Sequence, residues 1–166
     1  MSVFQPSYPG LVDLLLAGDE PGARRLAEEL TSNLATHTMI GSSGKRALSQ
    51  WVRSEAITSS WAGAGIALNA VAPGVILTPR TNQLLTTPES IAYVDASVPM
   101  PLNYHQEPEA IAHLLIWLTS AENTHCCGQT FFCDGGADAV VRGPDIYSWA
   151  DQRTGEYFAN IADPRR

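Results

Sequence analysis

The residues best equipped for chemistry gather at three places in this chain. At the first, Lys45 follows two serines, Ser42 and Ser43, across a single glycine. A lysine ammonium there could stabilise a developing negative charge, or act as a nucleophile if burial lowered its proton affinity. The same residues also suit the first turn of a helix, with the serines as caps and the lysine in solvent, and this plainer reading is preferred. No histidine is fixed beside the serines by sequence, so they are not read as nucleophiles. The second place is Tyr104-His105, a pair able to bind or protonate a small substrate. Adjacent side chains on extended backbone point apart, which weighs against a joint role. The third is Cys126, Cys127 and Cys133, whose spacing matches no zinc motif and whose odd number argues against a disulfide framework. Cys133 reads as a small hydrophobe in a buried strand, and no metal site is expected. His113 reads as a packed residue of an apolar helix, and His37 and His125 as loop residues without a nameable partner.

Several elements must position these groups. Met1 to Gly10 carries two prolines, two serines and a glycine, the composition of an irregular arm. Leu11 to Ala17 forms a short helix stopped at Gly18. Asp19 then caps an amphipathic helix carrying Pro21 in its first turn and Ala23, Leu26, Ala27, Leu30 and Leu34 at helical spacing. Ser42, Ser43 and Gly44 open a longer helix from Lys45 to about Trp61. Ile66 to Val71 is a nearly continuous apolar run, as in a strand buried on both faces, ended by Pro73 and Gly74. A loop with a helical stretch spans Thr78 to Tyr93. Pro108 starts a third helix, apolar almost all round from Ile111 to Leu118 and so expected to be buried on several sides. Gly128 to Cys133 is a second short strand, and the chain from Arg142 is a polar and aromatic surface tail.

The order of a long helix, a strand ending in "NAVAPG", a loop with "TP", the helix "EPEAIAHLLIWLTS" and then "GQTFFCDGGADA" resembles the second half of the short-chain dehydrogenase/reductase family, from about Ile40 to Arg142. The stretch "LLLAGDEPGARRLAEEL" is similar to the segment that bacterial 3α-hydroxysteroid dehydrogenase/carbonyl reductases carry ahead of their catalytic tyrosine. The resemblance implies that Asn69 ends a central strand. It places Pro73, Gly74 and Thr78 in the loop that holds the nicotinamide carboxamide, and Asp134, Gly135 and Gly136 near a subunit contact. It also implies a tyrosine four residues before Lys45. Counting without a gap puts Gly41 at that place, and allowing one inserted residue puts Ile40 there; neither can exchange a proton. The glycine-rich turn that receives a pyrophosphate at a helix N-terminus has no counterpart, since "GSSG" and "GAG" are too short and stand beside the wrong elements.

Composition narrows the rest. Net charge is −7 with no basic stripe, which disfavours nucleic-acid binding. The 45% hydrophobic and 16% charged fractions are those of a soluble globular protein. No apolar run reaches a membrane span and no secretory signal is present, so the expected location is cytoplasmic. One compact domain is expected: an arm and amphipathic helix over 1–39, a main body over 40–142 and a tail over 143–166. Its fold should be α/β, a reduced Rossmann-like fragment of two short parallel strands with three main helices. Trp51, Trp61 and Trp117 then need covering, so a homodimer or larger assembly is expected. The functional expectation is a cofactor-independent, non-redox enzyme or binder of a small hydrophobic molecule, using the family's substrate pocket along Thr78 to Tyr104. Alternatives are a non-catalytic subunit of a full-length dehydrogenase, or an NAD(P)-dependent steroid or carbonyl oxidoreductase completed by another chain. No cofactor is favoured; NAD(P) enters only if the dinucleotide-binding half is supplied.

Overall fold

The computed structural model describes residues 5–103, 105–148 and 151–162. Three helices come first: α1 (Pro9–Leu16), α2 (Glu20–Thr31) and α3 (Leu34–Glu55). Gly18 takes φ 71°, which lets the Asp19 N–H return to the Leu14 carbonyl and ends α1 as expected. Asp19 caps α2, its carboxylate accepting from the Gly22 N–H at 2.9 Å. Leu11, Ala23 and Leu30 then form a buried cluster, with Tyr8, Leu14, Leu26 and Ile40 packed against it.

The long helix departs from expectation. It begins at Leu34 and ends at Glu55, so Ser42, Ser43 and Gly44 lie in its interior and cap nothing. The Ser43 hydroxyl donates back to the Met39 carbonyl at 2.7 Å, and that of Ser42 donates to the Pro6 carbonyl, with the Met39 carbonyl a weaker second acceptor at 3.1 Å. These bonds satisfy the buried hydroxyls without interrupting the helix. Packing of α1 and α2 along the same stretch offsets the roughly 1 kcal/mol that each interior glycine costs a helix.

Two strands follow, β1 (Ala70–Pro73) and β2 (Thr130–Cys133), paired in parallel with Ala70 opposite Thr130 and Pro73 opposite Cys133. The Ala70 N–H donates to the Gln129 carbonyl and the Gly74 N–H to the Cys133 carbonyl. Pro73 falls at the alternate position, facing away from β2, where a missing N–H costs the ladder nothing. Pro73 is the last residue of β1 and Gly74 follows it, so the two end the strand as expected. The strand begins later than the apolar run, and Ile66 is 50% exposed. Among the described residues only β2 pairs with β1, and of the residues of β1 only Ala72 is fully buried, so the strand is less covered than the apolar run implied.

Shorter helices α4 (Pro79–Asn82) and α5 (Pro88–Ser97) precede α6 (Pro108–Leu118). Val75, Val98, Met100 and Ala137 make a second buried cluster. Gly74 is required there: a Cβ would stand 2.8 Å from the Met100 sulfur and 2.9 Å from the Asp134 Cα. Against expectation α6 is largely bare, with Ile116 65% exposed and His113 also in solvent; Leu118 is its buried residue. An apolar helix stays uncovered when the layer that would pack on it is not among the described residues. Finally, α7 (Ala137–Arg142) and α8 (Asp151–Ala162) complete the chain, and the tail keeps Tyr157 and Phe158 exposed. No helix among the described residues is long and apolar enough to cross a membrane.

Candidate functional site

The larger hollow lies between the first half of α3 and the face of α5. Local chemistry fixes α5 firmly. Thr87 and Ser90 form a reciprocal capping box, at 3.2 and 3.1 Å, with Pro88 in the first turn. Glu89 sits beside them, its carboxyl held below the ordinary carboxylate value by its own backbone N–H and then by the Thr87 hydroxyl. The helix so anchored presents Tyr93, Val94 and Val98 toward Pro6, Thr38 and Met39, enclosing a cleft of about 620 Å³. Gln5 and Ser97 complete its rim. None of these described lining residues is charged. Tyr93, 75% exposed, stands at the mouth, and Val98, 2% exposed, forms part of the base.

A smaller hollow of about 360 Å³ opens beyond the C-terminal ends of the strands, among Asn103, Gln106, Phe132, Cys133 and Gly135. Gln106 is fixed there by donating its side-chain N–H to the Cys133 carbonyl at 2.6 Å. Its backbone bridges both Val75 and Leu77. Burial, and then the charge of Asp134, push the Cys133 thiol above its ordinary value, so it stays protonated at neutral pH. Cys133 is half-buried in the hollow's wall, and no group of three or more His, Cys, Asp or Glu among the described residues could hold a metal.

The sequence candidates scatter. Ser42 and Ser43 are buried in α3, while Lys45 is exposed on the same helix. Gly41 and Ile40, the two places for the family's tyrosine, lie one turn earlier on that helix. Tyr104 lies outside the described residues. His105 takes φ 47° and pairs through Nε2 with the Asp95 carboxylate of α5 at 3.3 Å, outside the residues lining either hollow. Pro73 closes β1, Gly74 is buried, and Thr78 caps α4 by accepting from the Thr81 N–H. Of the cleft, sequence reasoning located the α5 side within the Thr78 to Tyr104 stretch. It missed Gln5, Pro6, Thr38 and Met39, because nothing local announces that an irregular arm will lie along α3. The His105–Asp95 pair was missed for the same reason.

With 31% identity and a TM-score of 0.72, the structure is similar to the 3-alpha-hydroxysteroid dehydrogenase from Pseudomonas sp. B-0831 solved with NADH, over 88% of this chain and 56% of that one. A family model described as Enoyl-(Acyl carrier protein) reductase matches residues 27–138, two thirds of the sequence. The chain belongs to the short-chain dehydrogenase/reductase family. Among curated members it is 34% identical to the 3-alpha-hydroxysteroid dehydrogenase/carbonyl reductase of Comamonas testosteroni over 128 residues, 77% of this chain and 48% of that protein. It is 26% identical to 3beta-hydroxysteroid dehydrogenase 1 of Eggerthella lenta, spanning 53% of that protein. The chain thus spans about half the length of the curated relatives it matches.

Membership raises the question of whether the residues present fit a dinucleotide. A pyrophosphate is held by free N–H groups at a helix N-terminus that follows a strand. The family's glycine-rich turn for that group has no counterpart among the described residues, and the turn after β2, which the resemblance places near a subunit contact, holds a carboxylate of its own. Asp134, 3% exposed, accepts from the Gly136 N–H at 3.0 Å and the Asp138 N–H at 2.9 Å at the start of α7. Behind β1 the corresponding start is capped by Thr78. On the nicotinamide side, the Leu77 N–H and the Val75 carbonyl are taken by Gln106. The described residues therefore offer no glycine-rich turn for the pyrophosphate and do not by themselves make a dinucleotide site.

Proposed function

We propose that this chain uses the α3–α5 cleft to bind a small uncharged molecule and carries out no hydride transfer with its own residues. The observation that carries this reading is the composition of α3 at the family's acid/base position. Where a tyrosine would give or take a proton, the helix presents Ile40 or Gly41, neither of which can exchange one. The cleft supports the ligand half of the proposal. It is apolar at its base, lined without charge and closed on two sides by anchored helices, which favours a neutral body over an ion.

Nile red, a neutral apolar dye, tests this directly by fluorescence titration. Saturable binding that weakens in Tyr93→Ala is expected, with the anionic dye anilinonaphthalene sulfonate binding more weakly. A linear, non-saturating response unaffected by Tyr93→Ala would contradict the proposal.

A second reading is an interaction role, with another subunit covering the bare face of α6. The exposed Ile116 and Leu115, together with Trp51 and Leu48 on α3, favour it, since so much apolar surface on a monomer is unusual. Light scattering at rising concentration tests self-association, and capture from the native host tests for a dehydrogenase partner.

A further inference from the structure

Ser42 and Ser43 are 1% and 0% exposed on a helix where alanine would pack as well and fold more readily. Burying a hydroxyl costs free energy unless it is bonded, so their presence asks for a reason. We propose that the two serines latch residues 5–8 along α3 as a strap, and that this strap sets the width and ligand selectivity of the α3–α5 cleft. The inference rests on the small-molecule reading above.

The bonds are long-range. Ser42 Oγ donates to the Pro6 carbonyl at 2.5 Å, and the Tyr8 N–H donates to Ser43 Oγ at 2.9 Å. Ser43 Oγ in turn donates to the Met39 carbonyl at 2.7 Å. Pro6 and Met39 both line the cleft, so this small network joins two of its walls. The strap is also held from its far end, because Tyr8 packs against the Leu11–Ala23–Leu30 cluster. Proline at positions 6 and 9 restricts the backbone on both sides of the latch. A segment pinned at both ends and stiffened between acts as a wall of defined position. Without the two hydroxyl bonds, Gln5 and Pro6 would swing from the rim and the cleft would lose its shape against a bound molecule.

The test uses the full chain with Ser42→Ala and Ser43→Ala combined, read by amide hydrogen exchange at Tyr8 and by Nile red titration. Circular dichroism checks that α3 persists, as alanine favours helix. Loss of both bonds should speed Tyr8 exchange on the order of ten-fold and weaken Nile red binding by a similar factor. Should the double variant fail to fold, Pro6→Gly loosens the strap without touching α3 and should give the same two changes at about two- to five-fold. Unchanged Tyr8 exchange would overturn the latch. Faster exchange with unaltered Nile red affinity would overturn the strap as a wall of the site. If neither wild type nor variant binds Nile red while exchange accelerates, the cleft reading falls, and the strap's part in selecting a ligand falls with it.

Discussion

The first three helices and the region around α6 stand in opposite conditions. Leu11, Val12, Ala23 and Leu30 of α1 and α2 are buried, and the arm before them is bonded to serines of α3. Around α6, by contrast, Leu115, Ile116 and Trp117 remain exposed, and among the described residues β1 has a neighbour on one edge only. The first region has a buried cluster of its own, although Leu15, Leu16, Leu48 and Trp51 stay exposed on its outer faces; α6 has Leu118 as its buried residue. Yet the second carries the sequence most recognisable as belonging to the family, from "NAVAPG" through "EPEAIAHLLIWLTS". Recognisability reflects a pattern that suits a larger sheet, whereas self-sufficiency depends on whether each apolar face meets another within the same chain.

Substitutions can break that comparison. Leu11→Ala should be the most damaging, costing about 2–5 kcal/mol of stability by opening a cavity in the N-terminal cluster. Ile116→Ala, which exchanges a residue of similar kind on α6, should stay within about 0.5 kcal/mol, because its side chain is already in water. Urea unfolding of the two variants measures the contrast, and equal losses would show α6 to be covered in solution. Gly74→Ala comes next. The new methyl meets the Met100 sulfur and the Asp134 backbone, so a loss of about 1–3 kcal/mol is expected, read by the same unfolding curves. A neutral result would mean that the second cluster is looser than its contacts suggest.

The smallest effect concerns pH. Glu89 has its folded-state value lowered, so its support for the start of α5 is present above the unfolded carboxylate value and is lost as pH falls through the lower folded value. Protection of the Ser90 amide, taken relative to its intrinsic exchange rate, should therefore fall toward acid in the wild type, and the fall should be blunted in Glu89→Gln. A wild-type profile matching that of the variant would remove Glu89 from the anchoring of α5.

Much of the fold was legible wherever the determining chemistry is local. Asp19 announces a cap because a carboxylate three residues from an N–H needs no distant partner, and Gly18 announces a stop for the same kind of reason. The two strands were partly readable from short apolar runs bounded by turns, with β1 starting later than its run, while their parallel pairing was implied by the resemblance. What could not be read depends on partners far along the chain. Ser42 and Ser43 look like caps until Pro6 and Tyr8 are found beside them, and only then is their place inside a helix explained. Likewise α6 looks buried because its composition suits burial, and composition cannot say whether a covering layer is present. For the site, the α5 wall fell within the stretch read as a substrate loop, whereas the Gln5 and Pro6 wall arises from an arm with no periodic signal at all.

The most direct test of the central claim, that this chain holds a small neutral ligand and no dinucleotide of its own, is a calorimetric titration with NAD(H) and NADP(H). The protein's mass should be recorded by light scattering in the same buffer. No saturable heat is expected from the folded protein, because the described residues include no glycine-rich turn to receive a pyrophosphate. Binding in the micromolar range would contradict this, and would mean that the pyrophosphate is held by groups other than such a turn.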